Sequence, residues 1–179
     1  MKRLSAILML MLCFAFSMSA ETKFIEQPLR VQRFEGGLKF GLGVPFAAPQ
    51  GWKPDFNFGE LGLELRYNFK DTPWDAGILF MLQDHHWKME DGEGYSGGNC
   101  NAMLLGDYNF RQGRKVNPYA GFAIGWDIND SQLVAAPRIG VEIFHHIRIE
   151  STFYLSSHYA SMFMISAGFA IGGRPRTMK

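Results

Sequence analysis

Residues 59–70, GELGLELRYNFK, alternate without a break between apolar and polar side chains. Leu61, Leu63, Leu65, Tyr67 and Phe69 take every second position, and glycine, charged or amide residues stand between them. This period of two belongs to a β-strand with two chemically different faces, because successive side chains of a strand point to opposite sides. A helix would scatter both sets around its circumference. The stretch is therefore predicted to be a strand.

Seven further segments show the same alternation. They cover residues 34–44, 74–83, 99–110, 118–128, 134–144, 147–155 and 162–172. Eight strands in succession predict an all-β protein, an eight-stranded antiparallel up-and-down barrel that crosses a membrane. Pro137 is unusual in such a barrel, since a closed sheet has no edge at which a missing N–H is harmless. A bulge, or a late start of the sixth strand, is expected there.

The predicted connections alternate between long and short. Residues 45–58 and 84–98 are long, 71–73 and 145–146 are tight, 112–117 are intermediate, and 129–132 and 156–161 are shorter loops. Transmembrane barrels have long outer loops and short periplasmic turns. The order fits that pattern if both termini are periplasmic.

A soluble barrel with an apolar ligand cavity would alternate in the same way with its faces exchanged. Three features favour the membrane barrel. The polar face is rich in glycine, as a narrow lumen requires. Aromatic residues fall at strand ends, where membrane barrels carry aromatic girdles; they are Phe34, Phe69, Trp74 and Phe110 at one end, and Phe46, Phe58 and Trp126 at the other.

Charges of both signs on the polar face are the third feature. Inside a narrow lumen they must pair, because an isolated buried ion costs several kcal/mol. A paired network would fill and close the barrel, whereas on a soluble exterior the same residues would simply be solvated. The predicted lumen charge network consists of Lys39, Glu64, Arg66, Asp107, Arg138, Glu142, Arg148 and Glu150.

The N-terminus has the pattern of a secretory signal peptide. Lys2 and Arg3 precede an apolar run at 4–16 and small residues at 17–20, so residues 1–20 are predicted to be removed. The remaining organisation is a periplasmic segment at 21–33, the barrel at 34–173 and a polar tail at 174–179. Cys13 would leave with the signal, and Cys100 alone cannot form an intramolecular disulfide. Cys100 is predicted to face outward at the start of the fourth strand.

Composition excludes other classes. The formal net charge is +1 and no Lys/Arg block occurs, which argues against a nucleic-acid surface. The mean hydropathy of −0.08 resembles that of a soluble chain, but it averages an apolar face and a polar one. The uncharged segment 159–173 is too short for a membrane helix, which needs about 20 residues.

Catalytic and metal chemistry find little support, and no catalytic, cofactor or metal residue is assigned. The best local candidate for a hydrolase is His158 with Ser156, Ser157 or Ser161. The His-x-Ser pairing of barrel lipid A deacylases is absent, because Tyr159 and Ala160 follow His158. Adjacent histidines in the second long loop could hold a divalent cation with neighbouring acids, but an acidic loop is more often only solvated. Those residues are Asp84, His85, His86, Glu90, Asp91 and Glu93.

Two segments carry a family resemblance. Residues 117–126, NPYAGFAIGW, resemble the NPYxGxGxG strand of small eight-stranded bacterial outer-membrane β-barrel proteins, and residues 105–110, LGDYNF, resemble the strand before it. The chain departs from the proteobacterial pattern in lacking a terminal Phe, with Phe169 and Ile171 as the internal equivalent. The resemblance implies an outer-membrane location, outer-membrane lipid and the barrel-assembly machinery as partners, and a role in attachment, immune evasion or stress.

The leading expectation is a closed, monomeric barrel that displays surface loops in a structural, adhesive or binding role. An extracellular ligand would then be contacted through the two long loops, which lie away from the rigid scaffold. A lipid-modifying enzyme and a narrow pore are the alternatives. The expected contact residues are Trp52, Phe56, Trp87 and Tyr95.

Overall fold

The computed structural model describes residues 31–47, 52–54, 57–89, 92, 94–156 and 161–173, and for residues 46, 47, 52–54, 57, 58, 85, 87, 89, 95 and 96 it describes the backbone alone. The predicted signal peptide and polar tail lie outside these residues, as do Phe56, Ser157 and His158. Those assignments stay predictions.

Nine antiparallel strands make up the described chain, and eight of them form the predicted closed barrel. Around the barrel the order is β3-β1-β9-β8-β7-β6-β5-β4, and β4 also pairs with β3, which closes the sheet. Within the described residues, no helix has the length and apolar character needed to cross a membrane. The strands are β1 (Phe34–Ala47), β2 (Trp52–Pro54), β3 (Asn57–Asn68), β4 (Trp74–Met89), β5 (Gly94–Asn109), β6 (Val116–Asp127), β7 (Gln132–Ile143), β8 (Ile147–Ser156) and β9 (Ser161–Gly172).

The two ends of the barrel differ. At one end, called here the turn end, lie the short connections 69–73, 110–115 and 144–146 together with Arg33 and Gly173. At the opposite end, the loop end, β4 and β5 stay paired as far as Lys88 and Gly94, and β2 pairs with the last residues of β4. The prediction that residues 45–58 and 84–98 are long loops is therefore wrong in part, because β2, the end of β4 and the start of β5 lie within them. Alternation weakens there because a strand that leaves the barrel no longer separates an apolar surrounding from a packed lumen.

The expectation for Pro137 is also wrong. β7 begins at Gln132 and keeps one register with β6, where Pro137 lies opposite Phe122. On the β8 side the pairing passes from Ala135–Leu155 to Arg138–Thr152 without a shift and omits the positions between. A local gap in the ladder thus accommodates the missing N–H. Register shifts occur instead in β1, between Gly41 and Leu42 and between Pro45 and Ala47.

The outer wall of the barrel is apolar and exposed. Leu63 in mid-strand is 49% exposed and Phe40 is 59% exposed. The band from Phe34 to Val44 of β1 is roughly 25 Å tall at the strand tilt of membrane barrels. Members of this wall on other strands include Leu65, Ile78, Phe80, Leu104, Phe122, Ile124, Leu133, Ile149, Leu155, Ile165, Phe169 and Ile171.

Aromatic rings border this band at the turn end. Tyr67 packs edge-on between Phe34 and Phe69, with ring centroids 5.3 and 5.5 Å apart. Two strands away, Tyr108 makes the same contacts with Trp74 and Phe110 at 5.0 and 5.2 Å. At the loop end the outward-facing aromatics include Trp126, Phe153 and Phe163. The predicted girdle residues Phe46 and Phe58 lack described side chains.

Candidate functional site

The lumen is the chemically distinctive part of the molecule, and its charged residues come from opposite walls. Lys39 of β1, Arg66 of β3, Arg138 of β7 and Arg148 of β8 are all buried, as are the four predicted carboxylates. Alternation explains this placement, because each lies at an inward position of its strand. The structure thus brings all eight residues of the lumen charge network into one interior.

Arg138 holds the centre of the network. Its Nε and Nη2 donate to the two carboxylate oxygens of Asp107 at 2.9 and 2.5 Å, and its Nη1 donates to Glu64 Oε1 at 2.7 Å. The two parallel bonds to Asp107 form the bidentate fork for which guanidinium and carboxylate are matched. One arginine therefore ties β7 to β5 and to β3.

Arg66 binds the same two carboxylates from the other side. Its Nη1 donates to Asp107 Oδ2 at 2.7 Å, its Nε donates to Glu64 Oε2 at 2.8 Å, and its Nη2 also contacts Glu64. Two arginines and two acids thus alternate around a ring. Because β3 and β7 lie on opposite sides of the barrel, this ring spans the lumen.

Lys39 forms a second centre. Its Nζ lies 2.6 Å from Glu150 Oε1, 2.9 Å from Glu60 Oε1 and 3.7 Å from Glu64 Oε1. The hydroxyl of Tyr119 donates to the other oxygen of Glu150 at 2.9 Å. The ammonium of Lys39 therefore forms ion pairs with three carboxylates.

Arg148 forms the third centre. Its Nε and Nη2 donate to Glu142 Oε2 at 2.9 and 2.6 Å, and Nη2 also contacts Glu35. The ring of Tyr119 lies 5.4 Å from the Arg148 guanidinium carbon and 5.6 Å from that of Arg66. These are cation–π distances, so Tyr119 links the second and third centres to the first.

Sequence reasoning left four members out of the network. Glu35, Glu60 and Asp75 are buried beside it, and Arg66 Nη1 lies 4.0 Å from Asp75 Oδ2. Each lies an even number of positions from an inward-facing residue of its own strand, so the alternation by itself predicts that it faces the lumen. Tyr119 is the fourth, and its inward position follows from parity as well. Its hydrogen bond to Glu150 has no counterpart in the sequence pattern.

Amide side chains close the lumen toward the turn end. Asn109 Nδ2 donates to Asp75 Oδ2 at 2.7 Å, and Asn117 Nδ2 donates to Asn109 Oδ1 at 2.8 Å. Gln112 Nε2 donates to Asn68 Oδ1 at 3.2 Å. This layer satisfies polar groups where the strands end.

An apolar layer fills the lumen elsewhere. Its members are buried side chains, namely Leu79, Met81, Met103, Leu105, Ala123, Val134, Ala136, Tyr154, Met162 and Met164. The Tyr154 hydroxyl donates to Asn101 Oδ1 at 2.5 Å, so its polar atom is paired. A cavity of about 20 Å³ among Lys39, Glu64, Arg148 and Glu150 has room for about one water molecule. The described lumen is thus packed with side chains.

Three of the four predicted surface contacts lie on the extension beyond the barrel. In the backbone register Trp87 of β4 lies opposite Tyr95 of β5 and opposite Pro54 of β2, and Trp52 lies opposite Met89. The structure therefore brings Trp52, Trp87 and Tyr95 onto one small three-stranded sheet.

The alternative chemical sites are only partly described. His86 Nε2 lies 3.4 Å from Asp84 Oδ2, and within the residues described no group of three His, Cys, Asp or Glu side chains is placed to hold a metal. Ser156 and Ser161 lie at the ends of β8 and β9. Cys100 is partly exposed. It lies within β5 and not at its start, because that strand begins at Gly94.

Comparisons with known proteins give structural likeness only. No family model and no curated protein sequence matches the chain. A structure from work on the de novo design of transmembrane β-barrels is 7% identical, covers 83% of this chain and 98% of its own, and has a TM-score of 0.48. The outer-membrane protein Ail of Yersinia pestis, in a phospholipid bilayer nanodisc, is 17% identical, covers 76% of this chain and 99% of its own, and has a TM-score of 0.47.

Proposed function

We propose that this protein is a monomeric bacterial outer-membrane β-barrel with a closed lumen, which anchors a surface-displayed binding or adhesive structure. One observation carries the proposal, namely that the polarity of a soluble protein is reversed. Leucine, isoleucine and phenylalanine cover the outside of the barrel, whereas arginine, lysine and carboxylates lie across the middle of its inside, beside an apolar layer.

The apolar wall needs lipid as its surroundings. Monomeric soluble proteins rarely expose continuous apolar patches of more than a few hundred Å², whereas here the outward positions of neighbouring strands are apolar side by side. Leu38 lies opposite Leu63, which in turn lies opposite Phe80. The band height of roughly 25 Å equals the apolar band of outer-membrane barrels, and aromatic rings border it as they do in such barrels. Residues 117–126 resemble a strand of small bacterial outer-membrane β-barrel proteins, and this resemblance supports the bacterial outer membrane as the location.

The interior favours an anchor over a carrier or a pore. A soluble ligand-binding barrel would line its cavity with apolar side chains, but this lumen holds ion pairs across its middle. The ring of Arg66, Glu64, Arg138 and Asp107 joins opposite walls, and this placement of side chains across the lumen argues against a continuous path for ions.

The extension at the loop end supports the binding role. β4 and β5 run past the apolar band as a paired hairpin, and β2 adds a third strand to it. Such a sheet is stiffer than an irregular loop, and it carries two tryptophans and a tyrosine, residue types enriched at binding hot spots. Its partner would be an extracellular ligand that contacts Trp52, Trp87 and Tyr95.

Membrane fractionation combined with heat-modifiable gel migration tests this proposal. A closed membrane barrel is expected in the outer-membrane fraction, and its unboiled form should migrate differently from its boiled form. Recovery in the soluble fraction with a single gel position would overturn the proposal. Trp87→Ala in the extension is a companion variant that should leave both results unchanged and weaken only cell-surface adhesion.

A further inference from the structure

Basic residues gather at the turn end of the barrel. Arg33, Lys70, Arg111, Arg114 and Lys115, here called the basic rim, lie in or beside the turns at that end. Among the residues described at this end, one acidic side chain is exposed, that of Asp71. Its Oδ2 lies 3.8 Å from the Lys70 ammonium. The rim therefore has a clear excess of positive charge.

Backbone hydrogen bonds hold the parts of the rim next to one another. Asn68 N donates to Arg33 O at 2.7 Å, which joins the start of β1 to the β3–β4 turn. Asn109 N donates to Pro73 O at 2.8 Å and joins that turn to the β5–β6 turn. Phe144 N donates to Lys115 O at 2.6 Å and joins the β5–β6 turn to the β7–β8 turn. The basic residues thus follow one another around one end of the barrel.

The rim lies at the edge of the apolar band. Arg33 directly precedes Phe34, Lys70 follows Phe69, and Arg111 follows Phe110. Phe34 and Phe69 belong to the aromatic border, which in membrane barrels sits at the level of lipid headgroups. Lys70 is 61% exposed in its side chain. The positive charges are therefore placed at the depth of the lipid phosphates.

The loop end offers a contrast. Outside the lumen, the charged residues with described side chains there include Lys88, Asp84 and Asp130, so they show no excess of positive charge. Among the described residues, the excess of positive charge therefore belongs to the turn end.

We propose that the basic rim binds the phosphate groups of anionic phospholipids in the leaflet at the turn end, and so enriches these lipids around the barrel. The proposal rests on the membrane location argued above. Clustered Lys and Arg residues at a membrane surface attract anionic lipid, and guanidinium groups bind phosphate by paired hydrogen bonds. The occupant is the lipid headgroup and not free phosphate, because the rim adjoins lipid-facing rings.

Two tryptophans serve as matched reporters of the two ends. Trp74 at the turn end is 52% exposed and Trp126 near the loop end is 49% exposed. Two variants, each with one of these as its only tryptophan, are folded into vesicles of equal phosphatidylcholine and phosphatidylglycerol. Bromine on the chains of one lipid or the other quenches the fluorescence of adjacent tryptophan. Since both leaflets have one composition, the orientation of the barrel does not affect the result.

Brominated phosphatidylglycerol should quench Trp74 about threefold more than brominated phosphatidylcholine does, and both should quench Trp126 equally. The combined variant Lys70→Gln, Arg111→Gln and Lys115→Gln should lose the preference at Trp74 while keeping its heat-modifiable migration. If that variant does not fold, the single variants Lys70→Gln and Lys115→Gln should each reduce the preference.

Equal quenching of Trp74 by the two lipids would overturn the proposal, and so would a preference unchanged in the variants. A preference that inorganic phosphate removes, when chloride of the same ionic strength does not, would show a free-phosphate site and also overturn it. If neither lipid quenches either tryptophan, the barrel is not in the bilayer and the proposed function itself has failed.

Discussion

Two carboxylates, Glu64 and Asp107, each bind both Arg66 and Arg138 in the middle of the lumen. Such buried pairs add little net stability compared with apolar packing, because desolvation offsets most of their attraction. Removal of one member is costly, since the others then stay buried without compensation. The intact network therefore adds little to the net stability of the barrel, but the loss of any one of its charged side chains is costly.

Arg138→Ala should destabilise the folded barrel by about 3–5 kcal/mol, because Asp107 loses its bidentate partner and Glu64 loses one of its donors. Urea unfolding in vesicles, followed by tryptophan fluorescence, measures this change. Lys70→Ala is the control. This variant breaks the ion pair between Lys70 and Asp71, both of whose side chains are more than half exposed. It should lower the free energy of unfolding by at most about 1 kcal/mol. Equal losses in the two variants would refute the assigned role of Arg138.

Gly140 provides the space for Tyr119. A Cβ atom at Gly140 would lie 2.5 Å from both Cζ and the hydroxyl oxygen of Tyr119 and 2.7 Å from the backbone oxygen of Ile149, so Gly140→Ala must displace the Tyr119 ring, the paired β8 backbone or both. Overpacking of this kind costs about 1–3 kcal/mol. Gly36→Ala is the matched strand variant, since its Cβ would meet only Leu65 Cδ2 at 3.8 Å. Comparison of the two unfolding midpoints tests the assignment, and a larger loss for Gly36→Ala would contradict it.

At the scale of elements, the β7–β8 turn is the most strained connection among the described residues. Phe144 and His145 have φ angles of 54° and 63°, the left-handed values of a tight hairpin turn in which Asn and Gly are the preferred residues. A non-glycine residue at such a φ costs roughly 1 kcal/mol. The cost is tolerated here because the flanking strands are paired along their whole shared length, apart from the gap at Pro137.

His145→Gly should therefore stabilise the barrel, by about 0.5–1 kcal/mol, because glycine adopts this φ without steric cost. The imidazole Nδ1 of His145 is buried without a hydrogen-bond partner, so its removal takes away no bond from that atom. His146→Gly is the contrasting variant. That ring stacks on Phe169 at 5.2 Å and its Nδ1 lies 2.9 Å from Ala170 O, so a loss of stability is expected. Thermal gel-shift midpoints of both variants should move in opposite directions.

The strands could be predicted wherever the two walls differ in chemistry. Between residues 60 and 68, β3 follows its alternation residue for residue, because the outward leucines are exposed on the barrel wall and the inward polar side chains are buried in the lumen. The end of β4 and the start of β5 could not be predicted. Beyond the barrel the two faces of these strands no longer lie in different surroundings, so apolar and polar residues need not alternate. At Pro137 the expectation of a bulge overlooked the fact that a long ladder tolerates one gap.

The lumen residues could be predicted by parity, but their partners could not. Arg138 and Glu64 are 74 positions apart, and only barrel closure brings them together. Lys39, in contrast, reaches Glu60 and Glu64 on the neighbouring strand, where it lies opposite Gly62, and it reaches Glu150 across β9. The predicted set had four bases and four acids, whereas the structure adds Glu35, Glu60 and Asp75 beside it. These three acids also lie at inward positions by parity.

At the scale of the whole molecule, the ring across the lumen predicts a barrel that does not conduct. The purified protein in a planar bilayer should give no stepwise current. The double variant Arg138→Ala with Asp107→Ala removes a neutral pair from the ring and should admit a small ion leak. Stepwise currents from the unmodified protein, unchanged in the double variant, would show that the lumen is open and would support the pore alternative.

The reversed polarity of the molecule is the central claim, and a pair of arginine substitutions tests it most directly. Leu63 lies at mid-height of the apolar wall, and Val116 lies at its turn-end edge, 49% and 42% exposed respectively. In a bilayer, Leu63→Arg should cost about 2–4 kcal/mol and Val116→Arg at most about 1 kcal/mol, because the cost depends on depth. The measurement is the fraction of each variant that folds into vesicles, read from heat-modifiable migration. Impaired folding of Leu63→Arg alone is the predicted result, and equal folding of both variants with the unmodified protein would contradict the membrane barrel.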